Sequence, residues 1–87
     1  MNKKVLCMVE PGLATHTIFY YEDDVLTYTK KVTYDDLADY LLTLCYGKGC
    51  YDLYLSGNPT FLQGIREDLQ TEEATKYSNN KIHIEVI

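Results

Sequence analysis

The 87-residue chain has no tryptophan, two prolines, five glycines and three cysteines. An odd cysteine count without paired spacing does not suggest the disulfide framework that holds many small secreted domains together. Cys45 and Cys50 are five apart, and His16 and His83 stand elsewhere. A structural zinc site needs four converging ligands, usually with tighter pairs, so the thiols are read as small buried side chains. Basic charge is also scarce. Eight Lys and Arg face thirteen Asp and Glu, a formal net charge of −5. General binding to a phosphate backbone needs a basic face, so no general nucleic-acid binding is expected. Carboxylates do hold hard cations, which leaves a divalent metal open. Long hydrophobic runs are missing too. Met1-Asn2-Lys3-Lys4 leads into the apolar run Val5–Val9, which Glu10 and Pro11 stop. A signal core needs ~7–15 apolar residues. A membrane span needs about 18. The expected setting is cytoplasmic, with no membrane contact.

The chain is 46% apolar and 13% aromatic, which excludes a disordered polymer. Its length allows one domain, residues 1–87, burying roughly 64% of the surface of the extended chain. No internal repeat, low-complexity tract or linker divides it.

Lys4 to Val9 is a continuous apolar run, as expected for a central strand covered on both faces. Thr15 to Tyr21 is β-branched and aromatic and reads as a second strand. Glu22-Asp23-Asp24 is a polar turn, and Val25 to Val32 a third strand, antiparallel to the second. Lys30 and Lys31 suit an edge. Alternation places Ile18, Tyr20, Leu26 and Tyr28 on one sheet face and Tyr21 on the other. Thr33 with Asp36 reads as a capping box. The helix it starts carries an apolar stripe of Leu37, Leu41, Leu44 and Cys45, and ends at Gly47 or Gly49. Tyr51 to Leu55 is a fourth strand, ended by Ser56-Gly57. Asn58-Pro59 starts a second helix, with Asn58 as cap and Pro59 in the first turn. Leu62, Ile65 and Leu69 are its stripe. Gly64 inside it costs about 1 kcal/mol relative to alanine; close packing against the sheet and chance both account for it. Thr71 to Asn80 extends the helix and then loops. Lys81 to Ile87 alternates as a fifth strand.

The order is thus β-β-β-α-β-α-β, an α/β domain with a five-stranded mixed sheet. This order resembles the ribonuclease-H-like fold of ribonuclease H, the Holliday-junction resolvases and each half of the actin-like ATPases. Val9-Glu10-Pro11-Gly12 is similar to the resolvase pattern in which an aspartate-proline-glycine ends the first strand. Leu53-Tyr54-Leu55-Ser56-Gly57-Asn58 is similar to the adenosine-side motif of the actin-like ATPases, with Asn58 in place of the second glycine. The resemblance implies strand order 3-2-1-4-5, with the first and fourth strands parallel neighbours. Ligands in open α/β sheets favour such a switch point at the carboxyl ends of the strands. The candidate ligand site is therefore Glu10, Gly12, Ser56, Gly57 and Asn58, beside the N–H donors of the second helix. Glu10 is the candidate metal ligand.

Two-metal nuclease chemistry needs several converging carboxylates. The family's fourth-strand acid would fall around Leu55 to Gly57, where there is none, and its C-terminal acidic helix has no counterpart after the fifth strand. Phosphoryl transfer needs metal ligands and cationic clamps that the turn after Glu10 does not supply. Cys50 sits in a glycine loop, which leaves its exposure open, with no histidine placed beside it. Lone histidines on strands, as at His16 and His83, are more often structural than catalytic. Nine tyrosines remain, Tyr20, Tyr21, Tyr28, Tyr34, Tyr40, Tyr46, Tyr51, Tyr54 and Tyr77. Tyrosine joins a large apolar area to a polar tip and suits interfaces, although half-buried core positions also account for it. Acidic runs interleaved with tyrosine also fit mimicry of nucleic-acid phosphate, but solvated turns and helix starts explain most of them. The reading that follows is an acidic, non-enzymatic interaction module without a cofactor, binding a protein partner or itself as a homodimer. The alternative is a degenerate metal-dependent nuclease or nucleotide-binding domain centred on Glu10.

Overall fold

A computed structural model describes residues 4–87. Residues 1–3, most of the basic start considered above as a leader, lie outside the described residues. The elements are β1 (Val5–Glu10), β2 (Thr15–Glu22), β3 (Val25–Thr33), α1 (Tyr34–Lys48), β4 (Asp52–Gly57), α2 (Pro59–Lys76) and β5 (His83–Val86). They form one five-stranded mixed sheet in the order β3-β2-β1-β4-β5. β1, β2 and β3 make an antiparallel meander, while β1, β4 and β5 run parallel.

Local chemistry fixes the turns. Asp23 and Asp24 both take positive φ, 50° and 64°, which closes the two-residue β2–β3 hairpin. Gly49 caps α1 in the left-handed region at φ 63°, one of the two expected stops. Asn58 caps α2, accepting the Phe61 N–H at 3.0 Å. Thr33 differs from expectation. Its hydroxyl bonds the Asp36 carboxylate at 2.9 Å rather than a backbone N–H, so the capping box is closed between side chains.

Both crossovers, β3–α1–β4 and β4–α2–β5, step across the sheet in the same direction. Right-handed connections stepping one way lay their helices on one face. The helices are indeed neighbours: Lys76 Nζ meets Asp39 at 2.6 Å, and the Tyr46 hydroxyl donates to Glu73 at 2.6 Å. Val5, Cys7, Val9, Ile18, Tyr20, Leu53, Leu55 and Ile84 close the core against Leu37, Leu41, Leu42, Leu62, Ile65 and Leu69.

This arrangement corrects two expectations and decides two points that the sequence left open. β1 is covered on one face only; Leu6 and Met8 on its other face are half-buried. A register shift between Tyr20 and Tyr21 pairs Tyr21 with Leu26, which moves Leu26 away from the face of Ile18, Tyr20 and Tyr28. Cys50 is buried, because its backbone N–H closes on the Cys45 carbonyl at 3.0 Å and draws it under the end of α1. Gly64 serves no close approach: a Cβ there would meet nothing within 4 Å.

Candidate functional site

The carboxyl ends of β1 and β4 lie side by side, with Val9 paired to Gly57. Gly57 sits at φ 143°, and a Cβ there would come within 2.6 Å of the Val9 carbonyl oxygen. Only glycine fits that approach. Gly12 is equally constrained, since a Cβ would meet the Thr15 carbonyl at 2.2 Å. Its N–H donates to His16 Nδ1 at 3.1 Å. Accepting that bond leaves the ring proton on Nε2. His16 is only 7% exposed, with the Tyr34 ring 5.6 Å and the Phe61 ring 5.0 Å from its own. It fastens the β1–β2 turn to the starts of both helices.

The five candidate residues play different parts here. Gly12 and Gly57 shape backbone, and Asn58 caps α2. Ser56 pairs with Met8, and Glu10 with Thr17, so both belong to the sheet face away from the helices. The start of α2 is largely occupied. Pro59 has no N–H, Phe61 donates to Asn58 Oδ1, and Leu62 donates to the Asn58 carbonyl at 2.9 Å. An anion would find at most the Thr60 donor. Glu10 is exposed at the end of β1. Asp52 begins β4 at the opposite end of that face, and Glu85 pairs with Tyr54 rather than near Glu10. Among the described residues, no group of three or more His, Cys, Asp or Glu is placed to hold a metal ion.

The face away from the helices has its own pattern. Register aligns Leu26, Tyr21, Leu6, Tyr54 and Glu85 in one row, and Thr29, Phe19, Met8 and Ser56 in the next. Leu6, Met8, Phe19, Tyr21 and Tyr54 are all half-buried, and Leu26 is 48% exposed. Charge sits around this apolar centre. Lys31 and Glu10 flank Thr17 at one end, while Asp52 lies at the other, where Lys4 Nζ is 5.4 Å from the centre of the Tyr54 ring. No helix among the described residues covers this face. A monomer rarely leaves so continuous an apolar patch on its surface without a use for it.

A second constellation gave no signal in the sequence. Glu73 is 2% exposed, yet its carboxylate accepts the Tyr46 hydroxyl, the Lys81 N–H at 3.0 Å and the Ile82 N–H at 3.2 Å. Tyr46 stacks on Tyr77 with ring centres 3.9 Å apart, and its hydroxyl also meets Asn79. Burial, then the bond to Glu73, pushes the Tyr46 hydroxyl up to about 12. The cluster satisfies the backbone leading into β5 and offers no open coordination position. Burial also pushes the Cys7 and Cys45 thiols up to about 12, which keeps both protonated and unreactive at neutral pH. A cleft of about 550 Å³ lies at the amino end of β1, bordered by Lys4, Tyr21, Asp23 and Lys48. It is at the opposite end of β1 from Glu10. Its Lys48 is held by Glu22 at 3.2 Å and lies 5.0 Å from the Tyr20 ring centre.

No helix among the described residues is long and apolar enough to cross a membrane. No protein-family model, curated protein or solved structure matches the chain.

Proposed function

We propose that this chain is a non-enzymatic protein-interaction module, built on a ribonuclease-H-like sheet, whose working surface is the uncovered sheet face. The observation that carries the reading is the two adjacent rows of half-buried Leu6, Tyr21 and Tyr54 and of Met8 and Phe19, over which no helix lies among the described residues. Aromatic and methionine side chains ringed by charge are the composition of an interface centre and its rim. The element order and the strand order β3-β2-β1-β4-β5 support the ribonuclease-H-like assignment. The separation of Glu10 from Asp52 and Glu85 argues for binding rather than metal catalysis, since paired metals need converging carboxylates.

Paired affinity baits test the reading. Immobilised Phe19→Asp and Gln70→Lys chains are compared with the parent, Gln70 being exposed on α2. A partner held by the parent and by Gln70→Lys, but lost from Phe19→Asp, is then purified and its Kd measured. At least a tenfold weaker Kd for Phe19→Asp supports the reading. A partner indifferent to Phe19→Asp contradicts it. So does a Mn²⁺ titration that selectively broadens the NMR signals of Glu10, Gly12 and Gly57 and is abolished by Glu10→Gln.

A further inference from the structure

We infer that Cys50 is a thiol-modification site for small uncharged disulfides, with Cys45 placed to resolve the adduct into an internal Cys45–Cys50 disulfide. Backbone geometry is the first argument. α1 ends at the left-handed Gly49, whose N–H donates to the Tyr46 carbonyl at 3.2 Å, while the Cys50 N–H donates to the Cys45 carbonyl at 3.0 Å. In this nested, glycine-terminated helix end the side chains at the positions of Cys45 and Cys50 commonly touch. Bond lengths and angles on either side of the 3.0 Å bond leave the two Cα atoms no more than roughly 6.7 Å apart, inside the ~4.4–6.8 Å window of a disulfide. The thiols are neighbours as well. After burial, the charge of Cys50 is the next cause that raises the Cys45 thiol, and that of Cys45 the next that raises the Cys7 thiol. Cys7 stands in the sheet, on β1, so only the Cys45–Cys50 pair is held by a single turn of chain.

Access is the second argument. Cys7 and Cys45 are at 0% exposure, whereas Cys50 keeps 6% and borders the cleft of about 550 Å³ at the amino end of β1. Its thiol donates only a long bond, 3.9 Å, to the Asp52 carbonyl. Lys4 and Lys48 border the cleft, but so do Glu22, Asp23 and Asp24, so an uncharged reagent is the class that fits.

The chemistry is thiol–disulfide exchange. The Cys50 thiolate attacks one sulfur of a disulfide RSSR, forming Cys50–S–S–R and releasing RS⁻. The Cys45 thiolate then attacks the Cys50 sulfur, and a second RS⁻ leaves. Two protein thiols are oxidised, one RSSR is reduced, and the two thiol protons end on two RSH. Cys45 is sealed from solvent, so its step rests on proximity rather than on acidity.

Incubation of the folded chain with 2-hydroxyethyl disulfide tests this, beside Cys7→Ala, Cys45→Ala and Cys50→Ala, each checked by circular dichroism. Trypsin cuts after Lys30, Lys31, Lys48 and Arg66, which puts the three cysteines on separate peptides. The parent should lose two thiols and yield residues 32–48 joined to residues 49–66, released by dithiothreitol. Cys45→Ala should stop at one mercaptoethanol on Cys50, and Cys7→Ala should follow the parent. Cys50→Ala should react roughly tenfold more slowly, or not at all. A parent that keeps all three thiols, a link through Cys7, or Cys50→Ala reacting at the parental rate overturns the inference. The peptide map of the parent decides the pairing even where a variant fails to fold.

Discussion

The two faces of one sheet carry similar side chains and meet different fates. Along β1, Val5, Cys7 and Val9 point to one side and are sealed beneath the helices; Leu6 and Met8 point to the other and remain half-buried. Hydropathy does not distinguish the two sets. The connections do. Two right-handed crossovers stepping in one direction spend both helices on one face. An apolar run can therefore mark a strand buried twice, or a strand buried once that awaits a second surface.

If the contrast is real, the largest difference should appear on truncation. Leu55 is fully buried, and Leu55→Ala should cost about 2–5 kcal/mol by urea denaturation. At a protein concentration low enough to exclude association, Met8→Ala should cost less than about 1 kcal/mol, because the site is already half open. Equal costs would erase the distinction between the faces.

Next is the Glu73 carboxylate, which joins the helix layer to the strand β5. Glu73→Ala leaves the Ile82 N–H buried without its acceptor and should cost about 1–3 kcal/mol. Faster hydrogen exchange at Lys81 and Ile82, with little change at Leu6 and Met8, would tie the loss to the helix side.

The sealed face also predicts a pH dependence. Cys7 and Cys45 titrate near 9.0 when unfolded and at about 12 in the fold. Their folded pKa values are raised, so the stability they contribute is fully present below pH 9 and falls as pH rises from 9 toward 12. At pH 10 the loss should be on the order of 1 kcal/mol per thiol. Urea midpoints at pH 8 and pH 10 measure it, and Cys7→Ala should flatten the fall. Smallest of all, Gly64→Ala meets open space on α2 and should raise stability by about 0.5–1 kcal/mol, read as a higher Tm.

Much of the framework was legible in the sequence. Asn58-Pro59 announced α2, and the strand order is the one that the resemblance to the ribonuclease-H-like fold implied. The β2–β3 register shift was not, because alternation counts residues and does not reveal an extra one, so Leu26 was placed on the wrong face. Glu73 was also missed: an acid in a polar helical stretch gives no sign that three hydrogen bonds will bury it. At the candidate site, Gly57 ends β4 beside Val9, and Gly12 follows the end of β1, as the turn signals imply. What Gly12 does with its N–H depends on His16, four residues later in the chain and read there as an isolated side chain.

The central claim is that one sheet face is sealed beneath the helices and the other is left open as a surface. Methyl NMR with a dissolved paramagnetic agent compares them directly in one sample. The account predicts that Val5, Leu53 and Leu55 are protected, whereas Leu6 and Met8 are bleached. Leu6 and Met8 methyls as well protected as those of Val5 and Leu55 in dilute protein would contradict it.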